Sequence, residues 1–127
     1  MNIQLKHYKK IIDDLVKIRP AILKRWVTEK GWPNVSENKE KNALLSKLTD
    51  TEKSTLGEMI QQAKDEGIHD TLAYLNEQIN KGGLKIMKDG VPIAVEPYGT
   101  ELFWDWLERC EGKEWPEDQL KEKYTKP

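Results

Sequence analysis

The side chains able to do chemistry are few and scattered. The chain has two histidines, His7 and His69, and one cysteine, Cys110. Together they fall short of the four ligands of a usual zinc site, so neither a metal nor a cofactor is expected. Cys110 with His69 would supply a nucleophile and a base, with Asp70 or Asp105 to orient the imidazole. Cys110, however, falls on an apolar helical stripe where a thiol usually packs, and Asp70 reads first as a helix cap. The carboxylate pairs Asp13-Asp14 and Asp65-Glu66 are sequence neighbours on solvent-facing positions. Acid–base chemistry needs carboxylates converging across a cleft instead. Lys81-Gly82-Gly83-Leu84-Lys85 lacks the spacing of a phosphate loop, and a helix stop ahead of a strand accounts for it. No catalytic residue is assigned, and the chain reads as a non-enzyme.

The unusual stretch is FWDWLERCEGKEWP, residues 103–116, which holds three of the five tryptophans, the one phenylalanine and the one cysteine. On a helix from about Glu101 to Glu111, Leu102, Phe103, Trp106, Leu107 and Cys110 share one broad face, and that face reads as core. Trp104 lies about 120° from the centre of the stripe by helical arithmetic, on the flank. Trp115 follows the stop at Gly112, and Tyr98 sits in the turn Pro97-Tyr98-Gly99 that feeds the helix, with Thr100 as its cap. Trp104, Trp115 and Tyr98 are therefore the candidate partner-binding residues. The competing expectation is that the final segment folds back and Trp115 packs near Trp106, the commoner fate of a large aromatic.

The elements that must position these residues follow from apolar spacing. Leu5, Tyr8, Ile12, Leu15 and Val16 recur at helical intervals and predict a helix over about 3–19. Pro20 ends it and opens a second helix that stops at Gly31. Ser36 is read as the N-cap of a short helix bearing Leu44, Leu45 and Leu48. Thr49 and Glu52 form a capping box for a helix burying Leu56, Met59, Ile60 and Ala63 and ending at Gly67. Asp70 then caps another, with Ile68, Leu72, Leu75 and Ile79, that stops at Gly82-Gly83. At GLKIMKDGVPIAVEP the period becomes two, with Asp89-Gly90 as a tight hairpin turn pairing Lys88 with Val91 and Met87 with Pro92.

The fold expected is thus α+β: a predominantly helical single domain, 1–127, of about five to six helices with one β-hairpin near 84–95 packed on them. Residues 116–127 form a polar C-terminal segment in which only Leu120 and Tyr124 look able to pack. At 127 residues, 34% of them charged, one domain with a modest core is the natural size. The apolar run of MNIQLKHYKKIIDDL is broken by charges, so neither a signal-peptide core nor a membrane span is expected, and the cytoplasm is the simplest compartment.

Charge is uneven: residues 1–30 carry eight Lys and Arg against three Asp and Glu, a net +5 on a chain whose total is −1. Two functions are weighed. One is a protein-binding or regulatory module of inhibitor or immunity type using the aromatic surface, with an unidentified protein partner or a second copy paired through the edge strand at 84–88. The alternative is a nucleic-acid-associated protein using the basic first helices, where Lys6, Lys10 and Lys17 share a face. The acidic remainder of the chain weighs against it.

Overall fold

The computed structural model describes residues 2–117. It is about 66% helical with one two-stranded antiparallel hairpin, an α+β arrangement. In chain order come α1 (Ile3–Lys17), α2 (Ile22–Arg25) continuing into a π-turn (Trp26–Lys30), a 3₁₀ turn (Ser36–Asn38), α3 (Lys39–Ser46), α4 (Asp50–Lys81), β1 (Met87–Lys88), β2 (Val91–Pro92) and α5 (Leu102–Cys110). The polar C-terminal segment expected over 116–127, with Leu120 and Tyr124, falls largely outside the described residues.

The chain packs as two compact units, one of Ile18–Gly67 and one of the residues through Lys17 and from Ile68 onward. The second holds the candidate site. Asn2 caps α1 by accepting from the backbone N–H of Gln4 (2.7 Å) and of Leu5 (3.3 Å). The stripe on α1 buries Leu5, Tyr8 and Ile12 as its spacing predicts. Tyr8 and Ile12 join Leu72, Ile93, Ala94, Leu102 and Trp106 in one hydrophobic cluster.

The hairpin has the expected register, Met87 opposite Pro92 and Lys88 opposite Val91. Asp89 (φ 51°) and Gly90 (φ 77°) form its turn. It is shorter than 84–95, however. After Ile93 N–H donates to Ile86 O (2.9 Å), Ala94 N–H turns away to Gln4 O (3.1 Å) at the start of α1. Ala94 is consequently buried, where strict alternation would have put it outside.

α5 is capped differently from expectation. Thr100 does not cap it; Asn76 Oδ1 accepts from Leu102 N–H (3.0 Å), while Thr100 Oγ1 donates to Asp105 Oδ1 (2.5 Å).

In the unit Ile18–Gly67, Arg19 makes two parallel bonds to Asp65 (both 2.9 Å). Gln61 accepts from Ala21 N–H (3.0 Å) and donates to Arg19 O (2.8 Å). Asn42 accepts from Trp32 N–H (2.9 Å) and donates to Trp32 O (3.1 Å), fixing the turn after Gly31. The Thr49–Glu52 capping box forms in both directions, at 3.1 and 2.9 Å. Ser36 is not an N-cap; it opens the 3₁₀ turn with no side-chain bond to the backbone there.

The largest departure is α4. Gly67 does not stop the helix and Asp70 does not start one; a single helix of 32 residues runs through both. The stripe Leu56, Met59, Ile60, Ala63 and the stripe Ile68, Leu72, Leu75, Ile79 lie about 140° apart around this helix, so each reads as a separate element. One interior glycine costs only about 1 kcal/mol, too little to break a helix tied down on both sides.

Candidate functional site

The residues 103–116 divide sharply in exposure. Trp106 is 1% exposed and Trp104, two positions away, is 48% exposed. Trp104 therefore lies off the core stripe, as the helical spacing predicts. Trp115 and Tyr98 do not share that exposure: Trp115 is half-buried and Tyr98 is 7% exposed. The chain after α5 folds back, and Trp115 stacks on Tyr98 (centroids 5.8 Å apart) and sets its edge against Tyr8 (5.9 Å). Its indole N–H donates to Asp13 Oδ1 (2.9 Å). The three candidates are still neighbours. Tyr98 and Trp104 line one cleft together with Asp105, Glu108, Arg109 and Pro116, and Trp115 stands behind Tyr98.

Sequence reasoning missed the polar floor of this cleft. Asp105 is 3% exposed. Its two oxygens are taken, one by the Tyr8 hydroxyl and one by Thr100 Oγ1. Burial pushes the Asp105 carboxyl above the ordinary carboxylate range, against the opposing pull of those two hydrogen bonds. Burial, and next the adjacent Asp105 charge, push the Tyr8 hydroxyl far above its usual range, so it remains a donor. One turn further along α5, the Arg109 guanidinium lies 4.3 Å from the centroid of the Trp115 ring. Arg109 Nε and Nη1 and the Tyr98 hydroxyl are buried, and none has a hydrogen-bond partner among the described residues. The i, i+4 spacing of Asp105 and Arg109 was the one available signal, and it says only that they share a helix face.

The remaining candidates do not assemble. His69 Nδ1 is 3.4 Å from Asp70 and its ring packs on Phe103 at 5.0 Å. Cys110 is two helical turns beyond Phe103, about 10 Å along α5. Among the described residues no three His, Cys, Asp or Glu side chains form a metal cage. Lys6, Lys9, Lys10 and Lys17 do line one groove along α1, but Asp13 and Asp14 sit in it. Asp14 is bridged by Lys10 (2.9 Å) and Lys17 (3.9 Å), and the Lys10 hydrogen bond holds its carboxyl below the usual range. Gly83, at φ 75°, ends α4 as a helix stop.

Fold and site together define a mostly helical α+β chain carrying a small cleft walled by aromatics and floored by a buried carboxylate. Among the described residues no helix is long and apolar enough to cross a membrane. A family model matches residues 1–117, and the chain belongs to that family, described as a family of unknown function (DUF6547). No curated protein and no solved structure matches the chain.

Proposed function

We propose that this chain is a protein-binding or regulatory module of inhibitor or immunity type, whose contact surface is centred on Trp104 with Tyr98 and Trp115 behind it. The observation that carries the reading is Trp104, 48% exposed, on a helix whose Leu102 and Trp106 are buried. An exposed tryptophan on a firm support is the residue type that dominates interface energies. The support here is the Tyr8–Asp105–Thr100 network, which ties α5 to α1 and to the preceding turn. The test is affinity capture from the native host with the wild-type chain and with Trp104→Ala. Loss of a specific partner from a folded variant supports the reading, and equal capture by both refutes it.

A second contact belongs to the same proposal: a homodimer through the outer edge of residues 84–88, where Leu84 is 37% and Met87 52% exposed. The nucleic-acid reading draws support from the groove shared by Lys6, Lys10 and Lys17, and is opposed by the two aspartates within it. A steep fall of nucleic-acid affinity with salt would favour it over an aromatic interface. We assign no catalytic role, because both acceptor oxygens of the buried Asp105 are already held by Tyr8 and Thr100. We place the module in the cytoplasm, where a chain with one cysteine needs no disulfide framework.

A further inference from the structure

The cleft beside Trp104 is unbalanced in its hydrogen bonding. Each oxygen of Asp105 already takes a donor, from Tyr8 and from Thr100, and one oxygen of Glu108 takes Lys113 Nζ at 2.9 Å. Three donors beside them take no such partner. Arg109 Nε and Nη1 and the Tyr98 hydroxyl are buried without a partner among the described residues, and Tyr98 is 7% exposed. Buried donors left unpaired are costly and rare in native proteins, and at the wall of a cleft they call for an acceptor from outside. The cleft holds about 210 Å³, and the exposed Trp104 and Pro116 are among its lining residues.

We propose that this cleft is a binding site for a carboxylate carried on a flat apolar body. Arg109 and Tyr98 donate to the carboxylate oxygens, and Trp104 with Pro116 contacts the body. A guanidinium fork matches the two oxygens of a carboxylate. A phosphate dianion fits less well, because Asp105 and Glu108 stand in the same cleft and repel a second negative charge. The inference deepens the reading of the Trp104 surface, since a partner gripped there would present such a carboxylate. It is nevertheless tested on the purified chain alone, so its failure and the failure of the capture experiment are separate results.

The full chain, labelled with ¹⁵N, is titrated with benzoate while the Arg109 Nε–H resonance and the backbone amides of 98–109 are followed. Benzyl alcohol serves as the neutral comparison and inorganic phosphate as the alternative anion. Saturable shifts with benzoate and none with benzyl alcohol are expected. Tyr98→Phe removes only the hydroxyl and should weaken benzoate about tenfold, as should Arg109→Lys, which keeps the charge and loses the fork. Both are read only where the amide spectrum shows a folded chain, and Tyr98→Phe suffices if Arg109→Lys does not fold. A Phe-terminated peptide with a free C-terminus, set against its C-terminal amide, identifies the source. Displacement of benzoate by the acid alone assigns the carboxylate to a protein terminus, and displacement by neither assigns it to a free small acid. Equal binding of benzyl alcohol, binding of phosphate without benzoate, or unchanged affinity in Tyr98→Phe overturns the proposal.

Discussion

Substituting Gly67 by alanine should stabilise this protein, although by sequence Gly67 looks like a helix terminator. In the structure it lies inside α4, which runs from Asp50 to Lys81. Apart from its own residue, its two chain neighbours and the adjacent backbone of the helix, no heavy atom lies within 4 Å of the position its Cβ would take, and its φ is not positive. Alanine there gains the helix-propensity difference and meets no clash, about 1 kcal/mol in favour of the folded state. For a chain of this size that is a rise in Tm of about 4 °C. In urea the midpoint should move up by about 0.5 M at unchanged slope. Gly83 is the matched control: it too has open space around its Cβ position, but its φ is +75°. Gly83→Ala should therefore lose about 1–2 kcal/mol through the left-handed backbone alone. Opposite signs at the two glycines are the expected result. A fall in midpoint for Gly67→Ala comparable to that for Gly83→Ala would mean that the helix ends at Gly67, and the reasoning would be refuted.

Gly90→Val should cost about 1–3 kcal/mol by thermal unfolding, because a β-branched residue resists the positive φ of 77° there; an unchanged Tm would contradict the turn. Asp65→Asn should cost about 1–2 kcal/mol at neutral pH by breaking the paired bonds from Arg19. Since the Arg19 hydrogen bond holds the Asp65 carboxyl below its usual range, that cost should be present above a pH of about 4 and fade as the pH falls through the lowered folded value. Asp105 carries the opposite sign: burial raises its carboxyl, so its contribution is largest below a pH of about 4 and declines as the pH rises through the raised folded value. Stability of Asp105→Asn relative to wild type, by urea unfolding, should accordingly improve over that rise; a worsening would mean that the Tyr8 and Thr100 bonds outweigh desolvation.

What was legible in the sequence is what local chemistry decides. The Asp89-Gly90 turn needs only two residues with positive φ, and the Thr49–Glu52 box spans three positions, so both formed as read. The stripe on α1 and the outward position of Trp104 follow from a period of 3.6, which a continuous helix preserves. α4 does not read as one helix in the sequence because its two apolar stripes point in different directions, and Gly67 and Asp70 fall where one gives way to the other. On α5 the cap comes from Asn76, 26 residues earlier, so no local signal at Thr100 could reveal it. The cleft depended on similarly distant pairings: Tyr8 meets Asp105 across 97 positions and Asp13 meets Trp115 across 102. Nothing in the spacing of those residues foretells contact, and Arg109 and Tyr98 become interesting only once their buried donors are seen to lack partners among the described residues.

The central claim is that Trp104 serves a partner rather than the fold. The most direct measurement pairs the stability of Trp104→Ala with its affinity for the protein captured by the wild-type chain, using Trp106→Ala as the internal standard. Trp106, 1% exposed, should cost about 3–5 kcal/mol of stability on truncation. Trp104→Ala should cost less than about 1 kcal/mol, yet lose at least 2 kcal/mol of binding, roughly thirtyfold in affinity. A Trp104→Ala chain that unfolds as readily as Trp106→Ala, or that stays folded and binds as tightly as wild type, would contradict the account.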